Sequence, residues 1–140
     1  MFKMSDKQSE ETQETAQSKI KLMPKNINVS AQNRHIVGTD GYNQYVINQK
    51  SKGEYGPSIL YGDIKTAQDL VNKYSGSGTA DVVKGKWMDT EKIRTDSVIG
   101  IVINNLNGVQ QLTANFKIHY GKDGTHIVPD YDKNRKGMRP

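Results

Sequence analysis

The chain of 140 residues holds three histidines and no cysteine. A thiolate nucleophile, a disulfide framework and a thiolate metal site are therefore excluded, and imidazole is the side chain available for proton transfer near neutral pH. His35 stands in Asn33-Arg34-His35-Ile36-Val37-Gly38-Thr39, and His119 and His126 stand in the segment 116–129, Phe116-Lys117-Ile118-His119-Tyr120-Gly121-Lys122-Asp123-Gly124-Thr125-His126-Ile127-Val128-Pro129. Two imidazoles on one surface suit RNA cleavage by attack of a ribose 2′-hydroxyl on its own phosphate, which needs a proton acceptor, a proton donor and a group that stabilises phosphorane charge. Arg34, Lys117 and Thr125 are placed for the third task. No HxxxH or HExxH spacing occurs, so neither a metal nor another cofactor is expected.

The second segment reads as a hairpin. With a four-residue loop at 121–124, His119 faces His126; with Asp123-Gly124 alone as the loop, His119 faces Val128 and Gly121 faces His126. Either even-length loop puts both imidazoles on one face, while an odd loop or a bulge separates them. Lys117 shares the His119 face. Phe116, Ile118, Tyr120, Thr125 and Ile127 alternate onto the other, which predicts a core side and a functional side.

Other elements must hold this hairpin. Asp63 precedes Ile64, Ala67, Leu70, Val71 and Tyr74 at three- and four-residue steps, and Ser75-Gly76-Ser77-Gly78 follows, which predicts a capped amphipathic helix. Strands are expected at 98–104, 109–112, 114–120 and 125–128, with a further short one around 81–87 and a tight turn at Asn107-Gly108. The class is α+β: one or two helices packed on a twisted four- to five-stranded antiparallel sheet. Trp87 is assigned to the core.

Residues 5–18 are almost wholly polar, so residues 1–27 are read as a flexible polar arm, 28–130 as a single domain and 131–140 as a basic tail. The formal charge of +5 invites a nucleic-acid reading, but residues 31–130 hold 11 Lys/Arg against 10 Asp/Glu and the last ten residues carry a net +3. Broad phosphate neutralisation over the body of the fold is thus not expected. No segment has the length of a membrane span, the start lacks a signal-peptide apolar stretch, and neither a GxGxxG nor a GxxxxGK[ST] loop is present.

In three ordered blocks the sequence resembles the polymorphic toxin type fifty domain of bacterial toxins and phage minor head proteins. These blocks are Gln32-Asn33-Arg34-His35-Ile36-Val37-Gly38-Thr39, then Ala67-Gln68-Asp69-Leu70-Val71-Asn72-Lys73-Tyr74-Ser75-Gly76-Ser77-Gly78, and then Ile118 through Pro129. The resemblance covers about residues 31–129. It implies a ribonuclease toxin with an α+β fold of the barnase, EndoU, colicin and RelE group. It also implies His35, His119, Thr125 and His126 as catalytic positions and matches Tyr120; Arg34, Thr39, Lys117, Lys122 and Tyr120 are expected toward substrate. Only the resemblance brings His35 to the other two histidines. The partner implied is RNA, with an immunity or host protein as the protein partner, no membrane, and a place in the bacterial cytoplasm as a phage-encoded or virion-associated product. Because the chain reads as free-standing, with no delivery module, the alternative is a non-catalytic host-interaction or virion module that keeps the toxin fold.

Overall fold

A computed structural model describes residues 10–132. The expected basic tail falls, from residue 133 on, outside the described residues, as do residues 1–9 of the expected arm.

The described chain is α+β, with four helices and two antiparallel sheets. The helices are α1 (Gln13–Leu22), α2 (Val29–Asn33), α3 (Asp40–Ser51) and α4 (Ile64–Tyr74). The strands are β1 (Ile59–Leu60), β2 (Thr79–Val83), β3 (Lys86–Arg94), β4 (Gly100–Ile103), β5 (Gln110–Thr113), β6 (Asn115–His119) and β7 (His126–Asp130). They form a three-stranded sheet in the order β1-β4-β5 and a four-stranded sheet in the order β2-β3-β6-β7. Only Ala114 separates β5 from β6, so the chain passes directly from one sheet to the other.

The four-stranded sheet alternates as a half-buried sheet must. Phe116, Ile118, Ile127 and Ile93 face inward with Tyr120 and Trp87, and join Ala67 and Val71 of α4 and Leu60 of β1 in one core. Helix α4 has a capping box in which Asp63 accepts from the Thr66 amide and the Thr66 side chain accepts from the Asp63 amide. The tight turn between β2 and β3 is Lys84-Gly85, with φ of 52° and 76°. Both central residues lie in the left-handed region, as a two-residue hairpin loop of this twist requires. At Gly78 an added Cβ would lie 2.1 Å from the Lys92 carbonyl oxygen, so only glycine allows the chain after α4 to enter β2 this close to β3.

The expected polar arm is corrected over residues 13–22. Helix α1 is capped by Thr12 and buries Ala16 and Ile20 completely. Burying one isoleucine stabilises by roughly 2–3 kcal/mol, and glutamine supplies what apolar residues do not. Gln13 accepts from the Ala80 amide at 2.9 Å and donates back to the Ala80 carbonyl, while Gln17 donates to the Gly78 carbonyl at 3.1 Å. These amides pair with β2 at one exposed edge of the sheet. At the opposite edge the fully buried Gln32 of α2 does the same to β7, accepting from the Ile127 amide at 2.7 Å and donating to the Ile127 carbonyl at 2.9 Å. Both edges of the four-stranded sheet are thus closed by side-chain amides that reproduce the hydrogen bonds of a neighbouring strand. Among the described residues no helix is long and apolar enough to cross a membrane.

Candidate active site

The closing hairpin pairs Phe116 with Pro129, Lys117 with Val128, Ile118 with Ile127 and His119 with His126. This is the register of the four-residue loop, and it sets His119 and His126 side by side on the outward face. Their rings stack at 4.8 Å between centroids with planes 12° apart.

His35 completes a row. It follows α2 by one turn, and α2 is fixed to β7 through Gln32 at Ile127, the residue next to His126. The His35 and His126 rings stack at 6.3 Å and 8°, and Tyr45 of α3 meets His35 edge-on at 5.8 Å. The order is therefore His35, His126, His119, three nearly parallel imidazoles. His35 Nδ1 lies 2.8 Å from the Ser58 carbonyl oxygen. A carbonyl only accepts, so Nδ1 carries the proton and the neutral ring keeps its lone pair on Nε2. His35 is buried, whereas His119 and His126 are half-buried and line a pocket of about 220 Å³ with Asn28, Ala31, Tyr120 and the loop 121–124.

Burial is the main electrostatic influence on the row. Loss of hydration pulls His119 down to about 4, with the Lys117 charge adding to the depression and the Asp130 and Asp81 carboxylates opposing it. Loss of hydration, then the neighbouring imidazoles and Arg34, pull His126 down to about 3. His35 is lowered by desolvation too, against its bond to the Ser58 carbonyl. All three rings are neutral at pH 7 in the free protein, and protonating any one disfavours protonating the next. Among the described residues, no group of three His, Cys, Asp or Glu side chains is arranged to hold a metal ion.

The remaining sequence-predicted residues divide sharply. Lys117 lies on the histidine face, its Nζ 4.0 Å from Asp81. Lys122 is exposed on the rim of the histidine pocket. Arg34 is exposed in an adjoining groove with Tyr45, Gln44 and Asn48, and its charge reaches both His35 and His126. Two positions, Thr125 and Thr39, are corrected. Thr125 is completely buried, its hydroxyl 3.4 Å from the Asn26 carbonyl, because it pairs on the inward side of the hairpin. Tyr120 is buried but borders the histidine pocket, while its hydroxyl, 2.7 Å from Glu91 and 2.6 Å from Ser75, joins the hairpin to the turn after α4. Thr39 caps α3, accepting from the Tyr42 amide and donating to the Asn33 and Ile36 carbonyls. Thr125 and Thr39 serve the fold.

Sequence reasoning missed Gln32, Ser58, Thr90, Lys92 and Asp81. Gln32 stood inside the opening block but carried no sign that its amide would act as backbone. Thr90 and Lys92 belong to the part of β3 beyond Trp87, where no strand was expected, and they pair directly with His119 and Lys117. A family model described as bacterial toxin 50 (Ntox50) matches residues 27–129. No curated protein matches the sequence.

Proposed function

From the premise that this chain belongs to the bacterial toxin 50 family, we propose that it is an endoribonuclease that cleaves by 2′-hydroxyl attack, with His119 and His126 as the proton-transfer pair. The carrying observation is the stacked row, in which two half-buried imidazoles line one pocket and a third, buried, stacks against His126. His126 lies between two other imidazoles, which holds it neutral and fits it to take the 2′-hydroxyl proton. The oxygen so freed attacks phosphorus, and the bond from phosphorus to the 5′-oxygen breaks. His119, neutral in the free protein because burial and Lys117 outweigh Asp130 and Asp81, takes up a proton as the phosphate anion binds beside it and gives that proton to the departing 5′-oxygen. Lys117 and Arg34 supply positive charge toward the phosphate. His35, buried behind His126 and held in one tautomer by Ser58, is a positioning residue that keeps the central ring parallel and neutral. The products are a 2′,3′-cyclic phosphate and a free 5′-hydroxyl.

The test is incubation with total RNA in the presence of chelator, reading fragment ends. The wild type is expected to leave cyclic phosphate ends, and His126→Ala to lose about a hundredfold or more of the rate, the usual worth of a positioned acid or base. A wild type as inert as His126→Ala would reject catalysis and favour the non-catalytic module.

A further inference from the structure

The outward face of the four-stranded sheet continues past the histidines. In the row formed by Thr90, His119 and His126, paired strand residues share a face; the next row along the strands is Lys92, Lys117 and Val128. Two residues along β6 separate Lys117 from His119, a distance of about 7 Å. Lys92 and Lys117 sit directly opposite each other, a like-charge pair that is destabilising unless an anion lies between or beside them.

Asp81 is that anion. Ala80 pairs with Glu91 but Val82 pairs with Trp87, so β3 carries an excess of residues opposite Asp81, and Asp89 within the bulge takes φ of 61°. Asp81 follows the inward Ala80 and so stands on the outward face, beside β3. Its carboxylate receives Thr90 Oγ1 at 3.3 Å and stands 3.9 Å from Lys92 Nζ and 4.0 Å from Lys117 Nζ. These are loose contacts to two partly exposed ammonium groups, with side-chain exposures of 38% and 32%, and such pairs hold weakly. One row further, Arg94 is already bound to Asp132 at 3.2 Å and Asp130 follows on β7, so the face turns acidic.

Resting on the ribonuclease reading, we propose that Lys92 and Lys117 form a second phosphate subsite one nucleotide from the histidine pocket, and that Asp81 occupies it in the free protein as a counter-ion the substrate displaces. A phosphodiester offers the same charge and acceptor oxygens as the carboxylate, at a site already built to receive them. The acidic row beyond limits the gain to one additional phosphate.

The experiment measures binding of 2′-O-methylated oligonucleotides, which lack the attacking hydroxyl, by fluorescence anisotropy with the full chain. A dimer carries one phosphate, a trimer two, a hexamer five. For the wild type, affinity is expected to step up from dimer to trimer and then rise little. Asp81→Asn is expected to widen the trimer-to-dimer ratio about fivefold, the worth of one partly exposed ion pair, and Lys92→Gln to shrink it by a similar factor. Lys92→Gln should also lower the salt dependence of trimer binding by about 0.7 in log–log slope. A ratio that is the same in wild type, Asp81→Asn and Lys92→Gln overturns the subsite, even if the wild type cleaves RNA. Should Asp81→Asn fail to fold, by circular dichroism, the wild-type step and Lys92→Gln decide alone. A wild type that neither binds these oligomers nor cleaves RNA overturns the ribonuclease reading and the subsite with it.

Discussion

A bound phosphate should recharge the histidine row, and the size of the effect follows from the geometry. In the free protein His119 titrates at about 4 and His126 at about 3, and His35 is lowered as well, all mainly by burial. His119 and His126 should therefore not change charge between pH 5 and 8, and His35 should titrate below its ordinary value. An anion favours the protonated form, so its arrival raises these values. A single negative charge about 4 Å from an imidazole contributes about 4 kcal/mol at the effective dielectric suited to such sites, equal to about 3 pH units. That carries His119 to about 7. The second proton is refused, because a charged ring would then stand 4.8 Å from its neighbour. The assay is a pH titration of the three imidazole carbon-bound protons by NMR, without ligand and with saturating 2′-O-methyl dinucleotide. One ring is expected to move into the range of about 6–8 on binding, while the other two stay low. If His119 and His126 both remain below pH 5 with ligand bound, the phosphate does not meet the row and the proposed acid has no proton to give. If two or more titrate near 6.5 without ligand, the burial argument itself is wrong.

Two further substitutions separate fold from chemistry. Gln32→Leu leaves the Ile127 amide and carbonyl buried and unpaired, at about 1–3 kcal/mol for each group, so urea unfolding should show a loss of about 2–6 kcal/mol. The same variant should release His126 upward toward the ordinary histidine value, since α2 no longer holds His35 against it; an unchanged stability would show that Gln32 is no clamp. Tyr120→Phe removes the hydroxyl that reaches Glu91 and Ser75 and should cost about 1–2 kcal/mol in stability without raising KM for RNA. A raised KM at full stability would restore Tyr120 as a substrate contact.

Much of the site's frame was legible because periodicity and turn chemistry are local. The alternation from Phe116 to Tyr120 and from Thr125 to Val128 identified the core side, and Asp63 with Ser75-Gly76 marked both ends of α4. The hairpin loop remained open between two even lengths, and the structure takes the four-residue one. The arm was misread because Ala16 and Ile20 give α1 only two inward residues, too few for a hydrophobic pattern to register. What holds α1 is hydrogen bonding from Gln13 and Gln17, and a glutamine that pairs with an edge strand looks in sequence like one that meets water. Similarly, α3 buries Gln49 and no apolar side chain completely, so no apolar stripe marked it. The far half of β3 was lost at the bulge, where Asp89 breaks the alternation.

That blindness to amides explains why strand geometry alone paired His119 with His126 yet left His35 apart. The side-chain bond that ties His35 to His126 runs from Gln32, three residues before His35, to Ile127, one residue after His126, beside the backbone bonds from Asn28 to Thr125 and from Leu60 to His35. Neither periodicity nor charge reveals a bond of that kind, because its donor and acceptor belong to a polar side chain that would be equally at ease in solvent. The family resemblance supplied the connection without the cause. The physical cause is that an edge strand requires partners for its amides, and Gln32 meets that need in the same act that carries His35 to the row. Closing the sheet and assembling the site are thus one event in this fold, which is why a substitution at a residue with no contact to substrate should move both the unfolding midpoint and the titration of the central imidazole.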